Sequence, residues 1–163
     1  MSEKYIIVKS ADAEYIDVIF KILRKCGYNM AKKFLFHWIP PYSKRKIQQD
    51  CEQKVVVLVR DEMQNAFTST FQMYVNREGN LYVRKIATAP EYEGRGIGRR
   101  NMQYMETYAR QHGCPKICLD VYSKSKGALS FYLHNGFKEV GTKRSIRFKE
   151  IIMEKNIGHY GSK

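Results

Sequence analysis

The amino-acid sequence predicts an α/β fold of the α+β type, with strand-like and helical segments alternating along one domain. Three observations carry that reading. A β-rich run over residues 81–88 is closed by Pro90, then a glycine-rich turn, Gly94-Arg95-Gly96-Ile97-Gly98, leads into helical spacing over residues 99–112. Two more β-rich runs, residues 55–60 and 66–75, flank residues 61–65 as the arms of a hairpin. After Phe137 a second hairpin is expected, with Glu139-Val140-Gly141 entering it and residues 147–153 returning.

The elements follow in order. Residues 5–9 form a first short strand. Ser10 or Asp12 can cap a helix whose apolar positions Tyr15, Val18, Ile19, Ile22, Leu23 and Cys26 keep the helical period, with Gly27 ending it. Residues 29–53 are irregular and rich in aromatic and basic side chains. Pro40-Pro41 must interrupt any helix there, and Ser43 can cap a short one through Cys51. Beyond the turn at 76–80 and the strand at 81–88, Met102, Met105 and Ala109 form the buried stripe of the next helix. Residues 116–121 are a strand. Ala128, Phe131 and Tyr132 then fall at i, i+3 and i+4 of a short helix, which Gly136 stops as a left-handed residue while Phe137 packs back.

At 163 residues the chain can bury a substantial core. The expected organisation is one domain over 1–157 and a loose tail over 158–163. No apolar run reaches the length of a membrane span, and no signal pattern precedes Ile6. Cys26, Cys51, Cys114 and Cys118 form no Cys-x-x-Cys pair and have no histidine at zinc-ligand spacing, so no metal is expected and the thiols read as reduced, in the cytoplasm. With 29 Lys and Arg against 16 Asp and Glu, the net charge is +13. Such a chain attracts polyanions. The basic residues are dispersed, however, and no RNA-binding signature accompanies them, which favours a solvated basic surface over a nucleic-acid face.

The glycine turn has a local chemistry. Before a helix, glycines let the backbone approach phosphate oxygens, and the first helical N–H groups have no intrahelical partner. Arg95, Arg99 and Arg100 add positive charge. A Walker-type loop is excluded, since no Gly-x-x-x-x-Gly-Lys-Ser/Thr run exists. A dinucleotide turn fits Gly94 and Gly96 but meets Arg99 at its third glycine. The plain alternative is a flexible strand–turn–helix connection.

Two segments together resemble the GNAT superfamily of acyl-CoA-dependent N-acetyltransferases. Glu93-Gly94-Arg95-Gly96-Ile97-Gly98 matches that family's Gln/Arg-x-x-Gly-x-Gly/Ala loop, and Ser125 through Phe137 match its Asn-x-x-Ala-x-x-Phe/Leu-Tyr-x-x-x-Gly-Phe motif. Glu93 and Ser125 depart from the usual Gln/Arg and Asn. The resemblance implies a mixed, mostly antiparallel, twisted central sheet with helices on both faces. It also implies acetyl-CoA as cosubstrate, its pyrophosphate held by Gly94, Arg95, Gly96, Ile97, Gly98 and Arg99. Its pantetheine would pair like an added strand with the backbone of Ile86, Ala87 and Thr88, with Ser125 nearby, where the strand ending at Thr88 splays from the strand holding Leu119.

Acetyl transfer from a thioester needs a neutral amine, a polarised carbonyl and a proton for the departing thiolate. The resemblance makes Tyr132 the general acid; ordinary core packing is its plain alternative. An N–H near Thr88 would meet the oxyanion. Residues 81–88 contain no carboxylate, so the base stays open among Asp120, Glu150, His37 and water. For Asp120 the commoner role is an ion pair with Lys116 or another basic neighbour. Residues 34–42 (Phe-Leu-Phe-His-Trp-Ile-Pro-Pro-Tyr) either line the acceptor site or cap the sheet, the latter favoured for Phe34 and Trp38. The expected partner is a small-molecule or peptide amine, with a second copy of the chain or a nucleic acid as further options and no membrane. The rival reading is a non-catalytic acyl-CoA-binding or RNA-associated module of the same fold.

Overall fold

The computed structural model describes residues 2–158. Among them, seven strands and four α-helices run in the order the sequence predicts: β1 (Glu3–Ile7), α1 (Ala13–Ala31), α2 (Lys44–Gln53), β2 (Val55–Asp61), β3 (Ala66–Val75), β4 (Leu81–Thr88), a 3-10 turn (Pro90–Tyr92), α3 (Ile97–Gln111), β5 (Lys116–Tyr122), α4 (Lys126–His134), β6 (Lys138–Arg144) and β7 (Lys149–Asn156). The strands hydrogen-bond in the order β1-β2-β3-β4-β5-β7-β6. β4 and β5 are parallel, while β1–β2, β2–β3, β5–β7 and β6–β7 are antiparallel, so the sheet is mixed and mostly antiparallel as expected. Apart from Gly158, the expected tail lies outside the described residues.

The chain divides into two compact units. The first holds Met1–Met73 and Lys85–Ile97. Val56, Val57, Leu58 and Val59 of β2 are fully buried, which explains their unbroken apolar run. Ile16, Ile19, Ile22, Leu23 and Cys26 of α1 form one buried cluster with Val8, Val56, Leu58, Ile47, Ala87 and Ala89. Helix α1 does not stop at Gly27. A Cβ there would stand 3.0 Å from the Trp38 carbonyl oxygen, so the missing side chain admits a crossing backbone rather than ending the helix. The chain turns instead at Phe34, in the left-handed region at φ +63° and 81 % exposed, which overturns its expected role as a cap on the sheet. Trp38 does pack against the cluster. Ser43 caps α2 as predicted, accepting from the Lys46 N–H at 3.2 Å. Asp12 precedes α1 without a side-chain cap, because its carboxylate accepts from the Lys9 N–H at 2.9 Å.

α2 also carries a buried carboxylate. Asp50 accepts from the Tyr42 hydroxyl at 2.7 Å and the Gln72 amide at 3.0 Å, with the Lys54 ammonium at 3.5 Å. Burying a charge is costly unless it is paired and hydrogen-bonded, and these three donors supply that.

The second unit holds Tyr74–Arg84 and Gly98–Lys163. Leu119 pairs with Met153 and Ile117 with Lys155 across β5–β7, so these side chains share one face. Lys155 reaches Glu106 of α3 at 2.9 Å, which puts α3 on that face. Met102, Met105 and Ala109 are buried, as the helical period predicts. Cys118, Asp120 and Tyr122 point from the other face. α4 ends as expected: Gly136 has φ +90°, the Phe137 N–H donates to the Tyr132 carbonyl at 3.0 Å, and the Phe137 ring lies 5.5 Å from that of Tyr132.

Candidate active site

The glycine turn is left-handed at two of its three glycines. Gly94 and Gly96 both sit at φ +77°, a region that side chains with a Cβ rarely enter. Both are exposed, as is Arg95 between them. Ile97 is 5 % exposed and anchors the first turn of α3, whose leading N–H groups have no intrahelical acceptor. Gly98 serves a different purpose from its neighbours. Its φ is not positive, and a Cβ there would come 3.2 Å from Phe131 Cζ, so its missing side chain lets α3 and α4 approach. Arg95 folds back within its own unit, its guanidinium 5.2 Å from the Tyr92 ring and 3.4 Å from Gln64 Oε1. Arg99 is exposed on the first turn of α3.

In β4, Ile86 and Thr88 are half-buried and Ala87 is buried in the first unit's core. Lys85 has φ +51°, an irregularity inside the strand. Its ammonium lies 4.2 Å from the Tyr42 ring centre and 5.4 Å from that of Trp38. Beside it, burial and the Lys85 charge push the His37 imidazole down to about 4. His37 is therefore neutral at physiological pH. The Thr88 carbonyl accepts from the Cys26 thiol at 3.1 Å, and burial pushes that thiol up to about 12, so it is not a nucleophile.

In the second unit, parallel pairing of β4 with β5 covers Leu81–Ile117 and Tyr82–Cys118, whereas β5 continues to Tyr122. Ser125, at the N-terminal end of α4, is buried and does not cap the helix. Its hydroxyl has no hydrogen-bond partner among the described residues. A buried hydroxyl without a partner is costly, and a ligand amide or carbonyl would satisfy it. Desolvation raises the Tyr132 phenol above the ordinary tyrosine range, which keeps it protonated at neutral pH.

One cluster in this unit went unrecognised in the sequence. Asp120 accepts from the Tyr82 hydroxyl, and the Lys143 ammonium sits 2.6 Å from its other oxygen. Tyr74 stacks on Tyr82 with ring centres 5.6 Å apart. Burial first, and then the Asp120 carboxylate, raise the Tyr82 phenol; the hydrogen bond to Asp120 raises Lys143. Lys116 pairs with Glu154 instead, at 3.2 Å, so of the two ion pairs considered for Asp120 the one with a different basic neighbour forms. Period-two spacing puts Asp120 on the face of Cys118. The pairings that bring Tyr82 and Lys143 to it cross the sheet and leave no local trace.

The comparisons with known proteins bear on this geometry directly. Residues 18–137, well over half of the chain, match the model of the Acetyltransferase (GNAT) family. The chain belongs to that family. It is an N-acetyltransferase that takes its acetyl group from acetyl-CoA. A curated relative, "Peptidyl-lysine N-acetyltransferase YiaC" of Escherichia coli K12, is 31 % identical over 111 residues, covering 61 % of this chain and 67 % of its own length. Among solved structures, the ribosomal-protein-S18-alanine N-acetyltransferase of Escherichia coli superposes with a TM-score of 0.76 at 17 % identity, over 98 % of this chain and 96 % of that one. A Thermoplasma acidophilum PaiA N-acetyltransferase in complex with coenzyme A gives 0.74 at 21 % identity, over 96 % and 99 %. Those two likenesses establish the fold. Among the described residues no helix is long and apolar enough to cross a membrane, and no group of His, Cys, Asp or Glu could hold a metal.

Proposed function

We propose that the acetyl group passes directly from the CoA thioester to a primary alkyl amine, without a covalent enzyme intermediate. The observation that carries this is the pair of left-handed glycines, Gly94 and Gly96, immediately ahead of the N-terminus of α3. In this reading the backbone of Gly94, Arg95, Gly96, Ile97 and Gly98 receives the pyrophosphate, and Arg99 adds charge. The backbone of Ile86, Ala87 and Thr88 receives the pantetheine. Ser125 is a further cofactor contact, supported by its buried hydroxyl without a partner among the described residues. Acetyl-CoA supplies an activated acyl group and a good leaving thiolate.

The remaining chemistry falls to two side chains. Tyr132 donates its proton to the departing sulfur; its desolvated, protonated phenol supports that role. Asp120 takes the proton of the incoming ammonium, supported by its place on β5 at 14 % exposure, where one oxygen is positioned by the Tyr82 hydroxyl and the other is left for a cation. The relative named for peptidyl-lysine makes a lysine side chain in a peptide the first acceptor to try. We also propose that residues 1–157 act as one acetyltransferase domain in a reducing compartment such as the cytoplasm, a setting that four free cysteines suit.

The test is an acceptor screen read by thiol release, run beside calorimetric titration of CoA. Micromolar CoA binding with turnover on at least one primary amine is expected. CoA binding without turnover on any amine would refute transfer, and no CoA binding would refute the loop assignment.

A further inference from the structure

We infer that Asp120, with Tyr82 and Tyr74 beside it, is the seat for the acceptor's alkylammonium group, and that Lys143 occupies that seat in the free protein as a built-in stand-in. This rests on the acetyl-transfer reading and names the charge state its acceptor carries on arrival.

The geometry is that of an ammonium site already filled. Asp120 follows Cys118 by two residues on β5, and Cys118 pairs with Tyr82, so Asp120 and Tyr82 share a face. Across β5–β7–β6 the row Tyr122, Glu150, Lys143 lies one step along that same face. From there Lys143 leans back to put its Nζ 2.6 Å from Asp120 Oδ2, while the Tyr82 hydroxyl donates to Oδ1. The carboxylate thus keeps one oxygen for positioning by a neutral donor and offers the other to a cation. The stacked Tyr74 and Tyr82 rings add two π-systems beside it.

The two ends of the ion pair are unequal. Asp120 is 14 % exposed and set in the sheet, whereas Lys143 is 53 % exposed and comes from a strand exposed at all seven of its residues. A long, half-solvated side chain can swing away when another cation takes its place, so that the carboxylate is never left unpaired. An acceptor whose reacting nitrogen arrives on a flexible alkyl chain reproduces what Lys143 presents. Its ammonium would displace Lys143, hydrogen-bond to Asp120 and then yield its proton to it. A neutral aryl amine makes no such exchange, so the seat selects aliphatic primary ammonium groups.

The test separates this seat from the transfer reading. First, n-butylammonium and uncharged n-butanol are titrated into the full chain and followed by NMR. Wild-type protein should show shifts at Asp120 and Tyr82 with n-butylammonium only. Lys143→Met should tighten that binding by about two- to fivefold, since no resident ammonium then competes for Asp120, and Asp120→Asn should abolish it. Second, thiol release is measured with n-butylamine and with aniline. Lys143→Met should lower KM for n-butylamine by the same factor, leave kcat near wild type and leave KM for aniline unchanged. Unchanged or weaker n-butylammonium binding in Lys143→Met would overturn the stand-in. Binding as expected with no thiol release would leave the seat standing and sink the transfer reading.

Discussion

Replacing Gly96 by alanine isolates the cost of one Cβ in the loop that precedes α3. Gly96 has φ +77°, where an L-residue pays about 1–2 kcal/mol relative to glycine. Gly94, Arg95 and Gly96 are exposed, so in the free protein an alanine can relax towards negative φ with little effect on the core. The strain then falls due when the cofactor requires the original backbone. Translated to affinity, about 1–2 kcal/mol is a factor of roughly five to thirty in Kd. Gly96→Val should lose more, because a β-branched residue at positive φ is a true outlier. Gly127→Ala is the control, since that glycine has no positive φ and an added Cβ meets nothing within 4 Å. The assay is calorimetric titration of acetyl-CoA, with thermal denaturation of each variant alongside. An unchanged Kd for Gly96→Val in a protein of unchanged stability would refute the assignment of this loop to the pyrophosphate.

Four further outcomes are expected. Tyr132→Phe should keep acetyl-CoA affinity while kcat on the best amine falls by about 10²–10⁴; full retained kcat would return Tyr132 to a packing role beside Phe137. Arg99→Ala with Arg100→Ala should flatten the decline of acetyl-CoA affinity with added salt, and an identical slope in calorimetry would leave both arginines facing solvent. Asp50→Ala strips the acceptor from Tyr42 and Gln72, whose Oε1 already lacks a partner, and should cost about 2–3 kcal/mol in urea denaturation. His37 is held down at about 4 against an ordinary 6.5, so between those values the unfolded chain binds more protons and stability falls as pH drops. His37→Asn should flatten that fall within that window and leave the carboxylate-driven loss below it.

Element order and both hairpins were legible because each depends on local spacing. Residues 81–88 form β4 to the residue, since its alternation ends at a proline, and Gly136 stops α4 where a left-handed residue was expected. Gly27 misled because a glycine near the end of an amphipathic run reads as a stop, whereas here its use depends on Trp38, distant in sequence. Gly98 shows the same limit in reverse: the motif places it in the loop, and its neighbour Phe131 gives it a packing task. The loop and Tyr132 belong to contiguous motifs, so the sequence alone suffices to propose them. The setting of Asp120 could not, because Tyr82 and Lys143 reach it through pairings of three other strands, and one acidic residue in an apolar strand fits several roles.

The sheet is open, and β6 forms one of its two margins with all seven residues exposed. A bare strand margin invites another chain to continue the ladder. This one is guarded twice. The register with β7 shifts between Glu139 and Gly141, which interrupts a straight run of donors and acceptors, and Lys138 and Arg144 place like charges wherever two such margins would meet. Part of the large positive charge thus lies where it would oppose pairing between copies, apart from any anionic ligand. Solubility should accordingly decline as salt screens the margin, and neutralising changes at Lys138 and Arg144 should be tolerated by the fold yet promote filament-like association.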